Sequence, residues 1–399
     1  MKYDVVIIGG GPAGMISAIS ASSLGAKVLL IEKNDKPGNK LLLTGGGRCN
    51  LTCIEKNNKE FCSKFGKNGD FLLSSFSIFN FQKTIEFFED LGLKKEGNKI
   101  YPESENSKDV LKFLLSKLKE NKVKILTSSP VSEIRRDNNK IKSIILSNGE
   151  VIEGKKYIIC TGGKSYSVTG SSGDAFTWDI GHTVTELKPA LTPIEIKEKW
   201  IKPLQGISLK DICITVNNKK YYGDLLFTHF GLSGPMILNI SKNIKPKDVI
   251  ILDLFPNKNK EDLDKYFQKI FDKKKNKFVS TFLSDFIPEK LIPFILNFSS
   301  IPKTRKINNL TKEERLRLIR VVKEIEFNVV GLLGFDKAMI TSGGVSLKEV
   351  DSKTMKSKII NNLYFAGEVL DIDGPSGGYN LQACWTTGYV AGINSIKDD

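Results

Sequence analysis

The chain has 399 residues, of which 40% are hydrophobic and 26% are charged, and it contains only six cysteines. This composition excludes wholesale disorder and the collagen-like and disulfide-scaffold classes, and the length predicts two or three domains. No apolar run approaches the roughly 18–20 residues of a membrane span, and the N-terminus is typical of a strand rather than a signal peptide. We therefore expect a cytoplasmic protein with reduced thiols.

The net charge is +15, and lysine supplies almost all of the excess, because only seven residues are arginine. A basic chain can bind nucleic acid or an anionic membrane. AT-rich codon usage, which favours Lys, Asn and Ile together, explains the same composition more simply, and the lysines are scattered along the chain. We expect no membrane partner, and nucleic acid stands as the less favoured alternative.

The N-terminus predicts a dinucleotide-binding βαβ unit, with a strand over residues 3–8. Gly9, Gly11 and Gly14 follow this strand in the GxGxxG spacing, which allows a tight turn, close approach of a pyrophosphate, and close helix–strand packing. The helix N-terminus supplies free N–H groups for phosphate. Glu32 ends the second strand, where its carboxylate can accept hydrogen bonds from the hydroxyls of a ribose.

Hydrophobic period and turn residues predict further helices and strands along the chain. The predicted helices are 13–24, 82–91, 108–120 (capped by Ser107) and one near Tyr379–Ile396. The predicted strands are Lys27–Glu32, Val123–Leu126, Val131–Arg136, Ile141–Leu146, Val151–Glu153, Tyr157–Thr161, Leu191–Ile196, Ile212–Val216, Val249–Leu254 and Leu363–Ala366.

The pattern of glycine-rich strand ends stops near residue 190 and returns near residue 336, which predicts an insertion into the first domain. Residues 1–190 and 336–399 share the glycine-rich strand ends of a Rossmann-type domain. Residues 191–256 and 326–335 form a β-rich part, and residues 257–325, which are Lys-rich with helical spacing, form a helical part. We therefore predict an α/β fold whose doubly wound domain is interrupted by two inserted domains.

Three later glycine-rich segments favour FAD over NAD as the dinucleotide. They are the Gly45–Arg48 cluster, Thr161–Gly163 and Gly367–Glu368, and they suit a long ligand held across one sheet edge. Glu368 is expected to bind a ribitol hydroxyl, and the helix near Gly378 to direct its N-terminus at the flavin. The residues expected to bind FAD are Gly9, Gly11, Pro12, Ala13, Gly14, Glu32, Lys33, Lys40, Gly45, Gly46, Gly47, Arg48, Cys49, Asn50, Val131, Thr161, Gly162, Gly163, Gly367, Glu368, Asp373, Gly378, Tyr379 and Asn380.

Four motifs resemble those of the BaiN/YhiN-like flavoproteins, known as NAD(P)/FAD-dependent or aminoacetone oxidase-like oxidoreductases. They are Thr44–Asn50, Phe227–Pro235, Thr341–Val345 and Phe365–Gly374. The resemblance implies non-covalent FAD and a Rossmann-type FAD domain split by a β-barrel and a small helical domain. One branch of the family resembles reductases of unsaturated, steroid-like bile acid intermediates. Cys160 departs from the Ala that this family usually has before Thr-Gly-Gly.

Three side chains are candidates for a role in the reaction, each with a plainer alternative. His229 lies among glycines, and its side chain is expected either to face the substrate or to have a structural role. Arg48 holds an FAD phosphate or a substrate anion, or else forms a surface ion pair. Tyr379 donates a hydrogen bond or a proton, or packs.

Other polar groups are expected to have structural roles. Cys49 and Cys53 have three residues between them, which differs from dithiol redox sites, and the cysteines and histidines show no metal-ligand spacing. Asp371 and Asp373 are expected to cap the turn around Gly374. The Lys258–Lys277 run is interpreted as a solvated helix face, with an RNA footprint as the alternative.

We therefore predict a flavin-dependent oxidoreductase. NAD(P)H would reduce flavin N5, and the electrons would pass to a small organic acceptor, such as an activated C=C bond. No second GxGxxG follows a strand, so the nicotinamide is expected to bind transiently. The alternatives are an oxidase of a small amine or ketone, a tRNA-associated flavoprotein, and a flavin-bearing sensor without turnover.

Overall fold

The computed structural model describes residues 2–397, and the chain divides into two compact units. Unit 1 comprises Met1–Ala190 and Phe335–Asp399, and unit 2 comprises Leu191–Gly334. The residues described contain no helix with the length and apolar character that crossing a membrane requires.

The strands and α-helices of the described residues have the following bounds in chain order. The strands are β1 (Tyr3–Ile8), β2 (Val28–Ile31), β3 (Thr52–Cys53), β4 (Leu93–Glu96), β5 (Lys99–Pro102), β6 (Lys124–Leu126), β7 (Val131–Asp137), β8 (Lys140–Leu146), β9 (Val151–Ile152), β10 (Gly154–Ile159), β11 (Lys188–Ala190), β12 (Ile194–Ile196), β13 (Ser208–Val216), β14 (Lys219–Phe227), β15 (Gly231–Ser233), β16 (Val249–Asp253), β17 (Ile325–Leu332), β18 (Ile340–Ser342) and β19 (Leu363–Phe365). The α-helices are α1 (Pro12–Ser22), α2 (Asn58–Ser63), α3 (Gly69–Phe76), α4 (Phe81–Phe87), α5 (Ser107–Glu120), α6 (Pro235–Ile240), α7 (Lys260–Lys273), α8 (Val279–Leu283), α9 (Ile292–Phe298), α10 (Lys312–Lys323) and α11 (Tyr379–Lys397).

A parallel sheet in the order β19-β10-β1-β2-β6 forms the centre of unit 1. Its register places Val6 beside Leu29 on one side and beside Tyr157 on the other. The strands are rich in Val, Ile and Leu and are almost wholly buried, as expected of parallel strands covered on both faces. Since all five strands run in the same direction, their carboxyl ends meet at one sheet edge.

Helices α1 and α11 pack closely because small residues lie between them. A Cβ atom added to Gly388 would lie 2.4 Å from Ile16 Cγ2, and one added to Gly392 would lie 2.5 Å from the Ser17 carbonyl oxygen. The Ser17 hydroxyl donates to the Gly388 carbonyl at 2.9 Å. Glycine is therefore required at both α11 positions by the approach of the α1 backbone.

The remaining strands of unit 1 form three small antiparallel sheets. Their strand orders are β3-β5-β4, β7-β8-β9 and β11-β18. The β11-β18 pair brings the segment before the insertion beside the segment after it, with Pro189 opposite Thr341. This pairing places Thr341 next to the residues that follow β10.

Unit 2 combines a closed barrel with a helical subdomain. The barrel has the strand order β12-β15-β14-β13-β16-β17, and α7–α10 lie between β16 and β17 in the chain. Phe267, Phe271, Phe282 and Phe286 form mutually contacting ring pairs in the helical part. Buried aromatic and aliphatic side chains on one face of each helix account for the helical spacing in the sequence.

Local hydrogen bonds shift some predicted boundaries. The predicted cap Ser107 is wrong: Asn106 caps α5 by accepting from the Lys108 N–H, while the Ser107 hydroxyl donates to the Leu42 carbonyl at 2.9 Å. The helix predicted over 82–91 ends as α4 at Phe87, and a short 3₁₀ turn, Glu89–Leu91, follows it.

Candidate active site

A cavity lies at the carboxyl edge of the unit 1 sheet. It is lined by residues that follow β1, β2 and β10. Of the residues predicted to bind FAD, it is lined by Gly9, Gly11, Pro12, Ala13, Glu32, Lys33, Lys40, Val131, Thr161, Gly162 and Glu368. We call it the first cavity.

The glycine-rich turn at the first cavity has two different requirements for glycine. Gly9 has φ +107°, and a Cβ atom at Gly14 would lie 1.9 Å from the Gly9 carbonyl oxygen, so both positions are closed to other residues by the backbone. A Cβ atom at Gly11 would meet no protein atom within 4 Å. Protein packing therefore does not require glycine at position 11, whereas close approach of a ligand to the α1 N-terminus would.

Glu32 is a buried carboxylate at the wall of the first cavity, with 7% of the residue exposed. Its Oε2 accepts from the Gly10 N–H at 2.8 Å, and its Oε1 accepts from the Asn34 N–H and side-chain amide, each at 2.8 Å. These bonds fix the carboxylate at the end of β2. Each oxygen can accept more than one hydrogen bond, so further acceptor capacity remains.

A second cavity adjoins the first. The two cavities share Pro12, Lys40, Glu368 and Cys384 in their walls. The second cavity is lined mainly by apolar side chains, among them Leu41. The two cavities therefore adjoin at these four residues, and we call them together the cleft.

Lys40 and Glu368 form an ion pair where the two cavities meet. Lys40 Nζ lies 2.7 Å from Glu368 Oε2 and 2.9 Å from the Ser165 hydroxyl. Glu368 Oε1 accepts from the Thr341 N–H at 2.8 Å and from Ser165 at 3.0 Å. Both side chains of the ion pair are mostly buried, so the network holds one positive and one negative group at a defined point of the cleft.

Two further features of the first cavity bear on the ligand it fits. Thr161 Oγ1 is buried and has no hydrogen-bond partner among residues 2–397, although Thr161 lines the cavity. A buried hydroxyl of this kind ordinarily finds a partner, which a polar ligand would supply. Lys33 Nζ lies 2.7 Å from Asp174, and both residues line the cavity together with Trp178.

The second cavity contains fewer of the predicted residues than the first. Those in its wall are Pro12, Lys40, Gly367, Glu368 and Asn380. Outside both walls lie Gly14, Gly45, Gly46, Gly47, Arg48, Cys49, Asn50, Gly163, Asp373, Gly378 and Tyr379. Thr44, which directly precedes this glycine cluster, does line the second cavity. The glycine cluster therefore follows a residue of the cavity wall in the chain but does not itself line either cavity.

Arg48 is held away from both cavity walls by its own neighbours. Its guanidinium carbon lies 4.2 Å from the centre of the Tyr101 ring, and its Nη2 pairs with Glu96 at 2.6 Å and with Glu105. These hydrogen bonds raise the pKa of Arg48. The sequence left open whether Arg48 binds an FAD phosphate or a substrate anion, or forms a surface ion pair. The contacts of Arg48 in this structure are those of the ion pair.

Tyr379 begins α11 and is buried against aromatic rings. Its hydroxyl donates to Glu55, and its ring centre lies 4.9 Å from that of Phe61. Burial and the neighbouring Glu55 raise the pKa of the Tyr379 hydroxyl. The phenol therefore stays protonated at neutral pH.

The expectation that Asp371 and Asp373 cap the turn at Gly374 is wrong. The Gly374 N–H donates to the Asn380 side chain at 2.8 Å, and Asp373 instead accepts from Ser342 at 2.9 Å. The amide of Asn380 also donates back to the Gly374 carbonyl, which a carboxylate cannot do.

His229 belongs to unit 2, where it follows β14. Its ring is exposed and meets Phe230 edge-on at 4.7 Å. The other histidine, His182, belongs to unit 1 and is hydrogen-bonded to the Ile180 carbonyl and the Ser357 hydroxyl. No group of three or more His, Cys, Asp or Glu side chains within residues 2–397 is placed to hold a metal ion.

Cysteine lines the cleft at two positions that were not predicted to face a ligand. Cys160 and Cys384 are in the wall of the first cavity, and Cys384 is also in the wall of the second. Burial raises the pKa of each thiol to about 12, as it does for Cys49 and Cys53. All four are therefore neutral thiols near pH 7.

Three further residues of the site were not predicted from the sequence, namely Ser165, Asp174 and Trp178. Ser165 joins Lys40 to Glu368, Asp174 pairs with Lys33, and Trp178 is an aromatic wall of the first cavity. All three lie between β10 and β11, a stretch without a sequence motif or helical period. The only signal was its position after Thr161–Gly163.

Comparisons with known proteins agree with this geometry. Residues 3–394 match the family model described as HI0933-like protein Rossmann domain. The 3-dehydro-bile acid delta(4,6)-reductase of Clostridium scindens is 32% identical over 402 residues, covering 97% of each chain. The ribosomal RNA dihydrouridine synthase of Haemophilus influenzae is 31% identical over 398 residues, covering 98% of this chain and 97% of that protein.

A solved structure supports the fold. The 3-ketosteroid delta1-dehydrogenase of Sterolibacterium denitrificans superposes with a TM-score of 0.55 at 12% identity, with all of both chains covered. The fold is thus the Rossmann-type FAD-binding fold with an inserted barrel and helices, which confirms the predicted fold class. The predicted resemblance to BaiN/YhiN-like flavoproteins is confirmed as well.

Proposed function

The chain belongs to the HI0933-like Rossmann-domain family, and from that premise we propose that it is a FAD-dependent reductase of a C=C bond conjugated to a carbonyl group. The observation that carries the proposal is the cleft formed by two cavities that meet at Lys40 and Glu368. An elongated cleft at the carboxyl edge of a parallel sheet suits a dinucleotide with a second ring system. Bound FAD supplies a ring that accepts and donates a hydride.

The residues of the first cavity fit the adenosine and pyrophosphate parts of FAD. Gly11 and the α1 N-terminus provide N–H groups and space for the pyrophosphate. Glu32 is buried and oriented, with acceptor capacity left for ribose hydroxyls. Thr161 Oγ1 lacks a partner among the described residues, and a ligand hydroxyl or phosphate would provide one. Val131 and Trp178 line the same cavity and would contact the adenine.

The second cavity suits the ribitol and flavin. Lys40 and Glu368 place one donor and one acceptor at the junction, and both would bind polar groups of the ribitol or the pyrophosphate. The apolar wall beyond them, which includes Leu41 and Leu381, would exclude water from an aromatic ring system. Cys384 takes part in both walls, so it would lie against the ligand along the middle of the cleft.

The relatives' names point to one reaction class. A 3-dehydro-delta(4,6) bile acid carries C=C bonds conjugated to its 3-oxo group, and the 5,6 double bond of uridine is conjugated to its 4-carbonyl. In both, the carbonyl polarises the alkene, so hydride adds to the β-carbon and a proton to the α-carbon. For the proton we propose Tyr379, whose hydroxyl donates to Glu55 in this structure, or His229.

NAD(P)H is the electron donor we propose, because an alkene reductase needs a source of hydride. The sequence has no second GxGxxG after a strand, so the nicotinamide would bind the cleft transiently. The competing oxidase of a small amine or ketone would instead return electrons to O₂ and release peroxide.

Charge favours RNA over a steroid as the substrate. Unit 2 has 26 Lys and Arg residues against 16 Asp and Glu, so ten of the fifteen excess positive charges lie in it. A steroid gives no reason for this concentration of charge, whereas an RNA backbone does. We therefore propose a uracil base within RNA as the acceptor, with a steroid enone as the second candidate.

Two half-reactions test the proposal. The purified protein should be yellow, and anaerobic mixing with NADH or NADPH should bleach the flavin absorbance. Adding uridine-containing RNA should restore the colour and yield dihydrouridine, whereas a 3-oxo-Δ4 steroid should do so only if the second candidate is correct. A colourless protein that does not take up added FAD would overturn the cofactor, and peroxide formation without alkene reduction would identify an oxidase.

A further inference from the structure

A group of exposed lysines in the helical part of unit 2 is not used by the proposed chemistry. Lys269 and Lys273 lie four residues apart on α7, so their side chains share one face of the helix. Both are exposed. Lys275 and Lys277 are exposed in the loop between α7 and α8.

Backbone pairing brings a second lysine segment beside the first. The Ile307 N–H donates to the Lys277 carbonyl and the Asn308 N–H to the Lys275 carbonyl, each at 3.0 Å. The Val279 N–H donates to the Arg305 carbonyl at 2.9 Å. This pairing places the exposed Lys277 next to a segment that carries exposed Lys303 and Lys306, about 30 residues later in the chain.

An exposed aromatic ring lies within this group. Phe278 forms an isolated antiparallel bridge with Lys306, so the two residues are directly opposite. Side chains of directly opposed residues point to the same face of a pair. Phe278 is 41% exposed, which is unusual for a phenylalanine beside well-packed rings such as Phe282. A ring next to an ammonium group can stack a base while the ammonium binds the adjacent phosphate.

The nearby acidic side chains are already paired with other cations. Asp285 pairs with Lys274, and Glu314 pairs with Arg305 at 2.8 Å. Asp272 lies 3.9 Å from Lys275. Within the described part of the chain, no acidic partner lies within ion-pair distance of Lys269, Lys273, Lys277, Lys303 or Lys306. Their charge is therefore available to an external anion.

We propose that this lysine patch, defined as Lys269, Lys273, Lys277, Lys303, Lys306 and Phe278, binds a single-stranded segment of RNA. The lysines would contact successive phosphates, and Phe278 would stack one base. This proposal rests on the proposed function, because the patch would be the docking surface for the RNA that is reduced. From the sequence, the Lys258–Lys277 run was interpreted as a solvated helix face. The proposal adopts the alternative, an RNA footprint.

The lysines are tested by neutralising three of them in the full-length, FAD-loaded protein. Binding of a fluorescently labelled 20-nucleotide oligouridine is followed by anisotropy over a range of salt concentrations. The triple variant K269Q/K273Q/K277Q should lower the slope of log affinity against log salt by about two, since each single-strand phosphate contact contributes about 0.7. K112Q/K119Q/K122Q is the matched control, because these lysines are exposed in unit 1, and it should leave both affinity and slope unchanged.

Phe278 is tested separately, because stacking and charge have different salt signatures. Phe278→Ala should weaken oligouridine binding by about tenfold without changing the salt slope, and Phe278→Tyr should restore the affinity. Flavin absorbance and thermal unfolding establish that each variant is folded. If Phe278→Ala binds oligouridine as tightly as the wild type, Phe278 does not stack a base.

An anionic membrane is the competing partner. Vesicles of phosphatidylcholine with 30% phosphatidylserine are therefore assayed with the same variants. The proposal is overturned if the triple lysine variant binds oligouridine as tightly as the wild type, or if it loses only vesicle binding. RNA binding is measured without turnover, so its failure is distinguishable from a failure of uracil reduction.

Discussion

Lys40 Nζ and Glu368 Oε2 lie 2.7 Å apart at the junction of the two cavities, although 328 residues separate them in the chain. The pair links the loop after β2 to the turn after β19. Ser165 and Thr341, each from a different segment, complete its hydrogen bonds. Four distant parts of unit 1 thus meet at one point of the cleft.

Replacing Lys40 should weaken both the fold and the cofactor site. Lys40→Met leaves the Glu368 carboxylate without its cation, and we expect the free energy of unfolding of the apoprotein to fall by about 1–2 kcal/mol, since the pair is only partly buried. FAD should bind about tenfold more weakly. Urea denaturation and fluorescence titration with FAD measure the two effects. Lys83→Met, at an exposed ion pair with Glu86, is the control and should change neither.

Two glycines of one turn should respond differently to alanine. Gly14→Ala should destabilise the apoprotein, because its Cβ would lie 1.9 Å from the Gly9 carbonyl oxygen. Gly11→Ala should leave apoprotein stability nearly unchanged, since its φ is −77° and no protein atom lies within 4 Å of the added Cβ. It should nevertheless reduce FAD affinity at least about tenfold, if the pyrophosphate approaches here. Wild-type FAD affinity in Gly11→Ala would refute the assignment of the pyrophosphate to this turn.

Cys49 and Cys53 should not carry electrons. Burial raises the pKa of both thiols to about 12, so only about one molecule in 10⁵ is a thiolate at pH 7. The double variant C49S/C53S should therefore bleach with NAD(P)H at a rate within about twofold of the wild type. Stopped-flow absorbance at the flavin band measures this. A large loss of rate, or a thiolate–flavin absorbance at long wavelength in the wild type, would contradict the prediction.

Tyr379→Phe separates proton donation from cofactor binding. Removing the hydroxyl leaves the ring packed against Phe61, so FAD content should be unchanged. If the hydroxyl donates the proton, reoxidation of the reduced flavin by the alkene should slow about 10²-fold while reduction by NAD(P)H is unaffected. Tyr389→Phe is the matched control. Equal reoxidation rates in the variant and the wild type would leave Tyr379 a packing residue.

His182 should make unit 1 less stable in mild acid. Burial lowers the pKa of His182 below its ordinary value of 6.5, so the folded protein favours the neutral ring. The stabilising contribution of the neutral ring is therefore present above pH 6.5 and is lost as the pH falls through 6.5 towards the lowered pKa. Unfolding free energy should fall between pH 7.5 and 5.5 in the wild type and fall less in His182→Gln.

The first domain could be predicted in some detail from the sequence. The GxGxxG turn, β1, α1, β2 and Glu32 lie within about 30 residues, and their geometry follows from local backbone rules and hydrophobic period. The family resemblance extended the prediction to FAD and to an interrupted fold. Lys33, Lys40 and Val131 were also predicted and line the first cavity, whereas Asp174, Trp178 and Cys384 line it without having been predicted.

The roles of Arg48 and Asn380 show where sequence reasoning stopped. Three glycines before Arg48 indicated a ligand, but Glu96, Tyr101 and Glu105 converge on its guanidinium. The turn at Gly374 contains two aspartates, but Asn380 caps it because an amide can both accept and donate.

Sequence alone determined the strand–turn–helix that opens the chain and the carboxylate at the end of β2, because short-range sterics and hydrogen bonding specify them. Tertiary structure alone decided that Lys40 meets Glu368 and that Phe278 faces Lys306. Such partners come from separate strands and loops, and the side chain that reaches a given charge depends on sheet order and loop path, which no local pattern encodes.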